Sequence, residues 1–223
     1  MTNLFNRWGI FLDRAGYNGS NAKDLYEELR NAYGKSERFY HTLEGHIGSC
    51  IDELDFVFGV KVPLTVEAAL WMHDVCKDEA ESVCWMKEFF GKLWFPESFI
   101  DEVGLLIEVT KHLDLPHRML FGEDGSKREY DYLLDIHAGI VADADLSIFG
   151  KPEAIFDEYE RLVRKEYLAV PEDVFRVKRA ELLEERFLKR KVIYNFRPFR
   201  EKYEIQARKN LKRSIARLRK VGW

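Results

Sequence analysis

The residues able to do metal or acid–base chemistry cluster in three short stretches. These are Tyr40-His41 with His46, His73-Asp74, and Asp143-Ala144-Asp145. His73-Asp74 lies inside AALWMHDVC, which is apolar nearly all round and so expected to be buried on every side. A carboxylate buried there costs several kcal/mol unless it is paired or bound to a cation. An internal His–Asp hydrogen bond that locks the helix would also satisfy the pair. His41 and His46 are separated by about 500° of rotation in a regular helix, or about 140° net. At most one of them can therefore be a direct ligand, unless the helix bulges or starts between them. Asp143 and Asp145 project to nearly opposite sides of a helix, so one can face a buried site while the other faces elsewhere. On the plainer reading, one of them caps a helix and the other is a surface charge.

Taken together, His46, His73, Asp74 and one of Asp143 and Asp145 supply two imidazoles and two carboxylates from three helices. That set suits one divalent Mn, Fe, Co, Ni, Zn or Mg ion better than a soft metal. Facing helices can project such ligands inward. Cys50, Cys76 and Cys84 form no CxxC pair and are read as core fillers. Their odd number and spacing favour a reducing, cytoplasmic setting. Asp135, His137 and His117 are read as capping or surface residues.

The elements that must hold these residues are helical. The 223 residues are 46% hydrophobic and 14% aromatic, enough for one sizeable core and against wholesale disorder. Gly and Pro are sparse, at 14 and 6, and helical periodicity recurs along the chain. Ser20-Asn21 can cap a helix that runs to Gly34. Further helices are predicted from near Tyr40 to Gly59, from Pro63 through VEAALWMHDVC, over 79–90, and from Pro96 to His112. Residues 114–127 read as a loop. YLLDIHAGIVADADLSIFG reads as helix by its length, and three long helices follow near 153–168, 172–191 and 197–220. The expectation is one all-α domain over 1–223. No apolar run reaches the roughly 20 residues needed to span a bilayer, and the start does not resemble a secretory signal.

Charge is unevenly distributed. Residues 186–223 carry 14 Lys and Arg against 2 Glu, whereas the rest carries 21 against 37. The basic helix bears an apolar stripe of Ala207, Leu211, Ile215 and Leu218, so it is expected to dock on the acidic remainder of the chain. Nucleic-acid binding through its cations is the competing reading. Tyr194, Phe196, Phe199 and Trp223 are expected to be exposed, which would favour a homodimer.

In their order, these segments resemble the HD-domain superfamily of metal-dependent phosphohydrolases (H…HD…D). The closest resemblance is to the bacterial group described as predicted metal-dependent HD phosphohydrolases, and it covers nearly the whole chain. It is carried by Arg7-Trp8, ERFYHTLEGHI at 37–47, AALWMHDV at 68–75, Asp78-Glu79-x-x-Ser82, LIEVTKH at 106–112 and DADLSIFG at 143–150. Arg164-x-Glu166-Tyr167, FLKRKVIY at 187–194 and Glu204-x-x-Ala207-Arg208-x-Asn210-Leu211 complete it. The resemblance implies an HD-like helical bundle in which His46, His73 and Asp74 bind metal. Asp145 is preferred to Asp143 as the last ligand, because ADLS is similar to the metal-binding Asp context of cyclic-nucleotide phosphodiesterases.

The same resemblance makes His41 the candidate for leaving-group protonation and Lys77 and His112 candidates for phosphate contact, while Glu79, close in sequence to the HD pair, is the candidate for orienting water. Thr110-x-His112 is the element through which a second metal could enter. The implied activity is hydrolysis of a nucleotide or other small phosphate ester. A non-catalytic HD module that binds a nucleotide and signals to a partner is the alternative.

Overall fold

Burial sets the architecture. The segment LTVEAALWM has no polar face, and residues 66–72 are all fully buried. Five other helices wrap around it. The computed structural model describes residues 3–112 and 132–220 as ten α-helices, with no strand among them. In chain order these are α1 (Leu4–Arg14), α2 (Ala22–Tyr33), α3 (Gly48–Phe58), α4 (Leu64–Met72) and α5 (Glu79–Lys92). They continue with α6 (Glu97–Glu108), α7 (Tyr132–Asp145), α8 (Glu153–Glu166), α9 (Glu172–Leu183) and α10 (Arg197–Arg219). Around α4 pack α1, α3, α5, α6 and α7. Pro63, Pro96, Pro152 and Pro171 each precede a helix directly, where a missing N–H costs nothing and the preceding chain cannot continue as helix.

Only one acid is carried inside α4. Glu67 is fully buried and is met by Arg7 at 2.9 Å and Arg14 at 2.6 Å, while Arg7 also reaches Asp55 at 3.0 Å. This network ties α1 to α3 and α4. The 3₁₀ turn Leu146–Gly150 continues α7 and packs against α8 and α10, while α9 packs on α10 and α2 on α1. Asn210 of α10 donates to the carbonyls of Phe149 and Lys151, each at 2.8 Å. A side chain at Gly150 would collide with Tyr203, so α10 sits closer than any larger residue permits.

Differences from the sequence reading are local. The α1 helix is not marked by a strong sequence signal. The segment from Tyr40 becomes helical only at Leu43, through a π turn Leu43–Ile47. The expected 172–191 helix leaves α geometry at Leu183 and continues as a second π turn, Glu184–Leu188. Cys50 is buried, but Cys84 is exposed and fills no core. Tyr194 and Phe199 are fully buried rather than exposed, and Phe196 is half-buried against Phe58. Tyr194 and Phe199 are therefore closed to a dimer surface. Trp223, His117 and the 114–127 loop lie outside the described residues.

Candidate metal centre

Three helix ends converge beneath one cavity. The Thr42 side chain caps the π turn by accepting from Gly45 N–H at 3.1 Å, so the helix begins between His41 and His46. This removes the rotational conflict between the two histidines. His73 is the C-cap of α4, where the chain turns away, so His73 and Asp74 can face the same point. Asp145 ends α7. The turn after Asp74 is fixed by Asp78, whose side chain accepts from Ala80 and Glu81 N–H, and by Ser82 Oγ, which accepts from Cys76 N–H at 3.0 Å.

His46 Nε2 lies 3.0 Å from His73 Nε2, 3.1 Å from Asp74 Oδ2 and 3.0 Å from Asp145 Oδ1. His73 Nε2 lies 3.2 Å from Asp74 Oδ2 and 3.7 Å from Asp145 Oδ1. Ligand atoms about 2.1 Å from a common ion stand about 3.0 to 3.4 Å apart. Four of these five separations lie in that range and the His73–Asp145 separation lies just beyond it, so the donor spacing is compatible with a metal ion.

The outer contacts fit as well. His73 Nδ1 donates to the Leu70 carbonyl at 3.1 Å, which leaves Nε2 as the lone-pair nitrogen of the neutral ring. His46 Nδ1 meets the Tyr40 hydroxyl at 2.9 Å, and Asp145 Oδ2 meets His112 Nε2 at 2.7 Å. Metal-binding histidines and carboxylates ordinarily have such partners.

Charge is concentrated here. Burial disfavours the imidazolium form of His73, yet Asp74 and Asp145 hold its pKa up at about 10. Burial likewise opposes the carboxylates, but the surrounding histidines keep Asp74 and Asp145 well below the ordinary range. Donor atoms of His46, Cys50, His73 and Asp145 lie within 4.8 Å of one another, so Cys50 borders the centre. Its Sγ is nearly equidistant from His46 Nδ1 and Nε2, at 3.8 and 3.9 Å, which places it beside the ring rather than in line with the Nε2 lone pair. Asp74 is the closer fourth donor.

Asp143 does not join the cluster. It is fully buried on the other side of α7, where it accepts from the backbone N–H groups of Asn195 at 2.9 Å and Phe196 at 2.6 Å. Burial pushes its carboxyl up to about 7 against those amides. It supplies acceptors to the chain entering α10.

His41 reaches the cavity but not the four-atom cluster. Its Nδ1 lies 2.5 Å from Glu166 Oε2. The other Glu166 oxygen accepts from Phe39, Tyr40 and His41 N–H at 2.7, 2.7 and 3.0 Å. Burial alone would raise the Glu166 carboxyl, but His41 and the backbone N–H groups hold it down at about 2. Arg38 spans the same gap from beneath, donating to the His41, Asp74 and Val75 carbonyls. Neither role is visible in the sequence. Both partners are set by packing, and in Arg164-x-Glu166-Tyr167 the glutamate looks like any surface acid.

The cavity over the centre has a volume of about 470 Å³. Lys77 and Glu79 line it, as do Thr110 and His112. The bond from His112 to Asp145 makes it an orienting group for that carboxylate rather than a free phosphate contact. Tyr159, Phe149 and Phe187 give the cavity an aromatic side, and Arg186 stands at the rim with a bond to the Lys111 carbonyl. Elsewhere, His137 pairs with Glu102 at 3.0 Å and Asp135 is exposed, both outside the centre.

No family model, curated protein or solved structure matches this chain. The described residues form an all-α protein in which His46, Cys50, His73 and Asp145 make a group compatible with a metal ion. No described helix is long and apolar enough to cross a membrane.

Proposed function

We propose that this protein is a metal-dependent phosphohydrolase of the HD type, acting on a nucleotide or other small phosphate ester. The observation that carries the reading is the convergence of His46, His73, Asp74 and Asp145, the two aspartates of which line a cavity with cationic and aromatic walls. The order of these residues in the chain is that of the H…HD…D family they resemble. A divalent ion held there would supply Lewis acidity toward a phosphoryl oxygen and an attacking water. Lys77 offers positive charge to the phosphoryl oxygens, and Glu79 a carboxylate to orient water. His41 faces the same space from the Glu166 side and is the candidate proton donor to the leaving group.

The basic tail fits a structural role better than nucleic-acid binding. Arg213 and Arg217 pair with Asp157, Arg219 with Glu184 and Lys202 with Glu53. Arg208 donates to the carbonyls of Leu188, Arg190 and Lys191. A nucleotide-binding HD module without turnover is the second reading, favoured by the bond that occupies His112. Hydrolysis of phosphomonoesters and diesters with added Mn²⁺ separates the two. Turnover that disappears in Asp74→Ala supports the enzyme. A metal-loaded protein inert toward every ester tested, yet binding nucleotide, supports the module.

A further inference from the structure

Glu166 closes α8 and lies 125 positions downstream of His41, with its side chain only 8% exposed. Residues 34–42 have no helical hydrogen bonding of their own, so the aim of the His41 ring depends on what grips it from outside. Glu166 grips it four times, through three consecutive backbone N–H groups and the ring Nδ1. A carboxylate only accepts, so the His41 proton in this pair sits on Nδ1 and Nε2 is the nitrogen left for the cavity. Capping the loop would need one oxygen. The second oxygen, spent on the ring, fixes both tautomer and orientation.

We infer that Glu166 is a positioning residue for proton transfer from His41 to the leaving group, an inference that rests on the phosphohydrolase reading. In the step proposed, water oxygen bonds to phosphorus and the bond from phosphorus to the leaving oxygen breaks. That oxygen keeps the electron pair and takes the Nε2 proton of the imidazolium. His41 ends neutral, still bonded to Glu166 through Nδ1–H. The proton lost by the water returns to His41 by way of solvent.

Proton donation matters most when the leaving oxygen is strongly basic, which yields a readout that a merely structural role would not move. The wild type and Glu166→Gln are compared on p-nitrophenyl and phenyl esters, as phosphomonoesters or methyl phosphodiesters, in whichever series the wild type turns over with Mn²⁺. For Glu166→Gln, kcat on the phenyl ester should fall by about tenfold or more, with p-nitrophenyl turnover and both KM values nearly unchanged. In a His41→Ala background the same substitution should have no further effect. Equal loss on both esters, no loss on either, or an additive effect on His41→Ala overturns the assignment. A wild type inert on both series removes the phosphohydrolase reading itself, and this inference with it. If Glu166→Gln fails to fold, Glu166→Asp, which keeps the charge and shortens the reach, carries the same comparison.

Discussion

The Nε2 atoms of His46 and His73 face each other at 3.0 Å, with a carboxylate oxygen from Asp74 and one from Asp145 beside them. His73 has committed its Nδ1 proton to the Leu70 carbonyl. Without an ion, two imidazolium rings would balance the two carboxylates but set two N–H groups against each other across 3.0 Å, whereas a divalent cation satisfies all four atoms at once. Burial makes that difference large, since unpaired charge there is costly.

Tyr40→Phe removes the hydroxyl that meets His46 Nδ1 without changing the ring that packs on His46. Loss of such an outer partner weakens metal affinity by about 10–100-fold. Competition with a chromophoric chelator should show this. An unchanged affinity would remove Tyr40 from the centre.

Asp143→Ala should separate structure from chemistry. The N–H groups of Asn195 and Phe196 lose their buried acceptor, which costs about 1–3 kcal/mol of stability. Metal content should be untouched. Denaturant unfolding together with elemental analysis reads both, and lost metal in a folded variant would restore Asp143 as a ligand candidate.

The two aspartates also show what the sequence could and could not disclose. Their spacing of two puts them on opposite sides of one helix, but which of them faces His46 and His73 depends on Asn195 and Phe196, far along the chain. His46, His73 and Asp74 were legible because ionisable groups in apolar stretches need a reason. The helix following Ser20-Asn21 and the three late helices were legible from caps and periodicity. Glu166 and Arg38 were not, because their partners are backbone groups brought close only by folding. The burial of Tyr194 and Phe199 is not legible in the sequence because α10 docks more closely than its basic composition advertises, through Gly150 and Asn210.

Glu166 carries a pH signature. Its folded-state pKa is depressed to about 2, below the ordinary glutamate value. Its charge therefore contributes stability that is fully present above about pH 4.5 and lost as pH falls through about 2. Urea unfolding should show the wild type more stable than Glu166→Gln near neutral pH, the gap closing as pH falls from about 4.5 toward about 2. A gap that stays constant with pH would contradict the bonded carboxylate.

Gly150→Ala tests the seat of α10. The added methyl meets Tyr203, and overpacking of this kind costs about 1–3 kcal/mol. Thermal unfolding should report a lower midpoint, with any metal still bound. An unchanged midpoint would mean that α10 is not held as closely as described.

The central claim is best tested by elemental analysis of protein purified after Mn²⁺ or Zn²⁺ supplementation and gel filtration, wild type beside Asp145→Ala and Asp143→Ala. One divalent ion per chain is expected in the wild type and in Asp143→Ala, and none in Asp145→Ala. A wild type that retains no metal, or an Asp145→Ala variant that retains as much as the wild type, would contradict it.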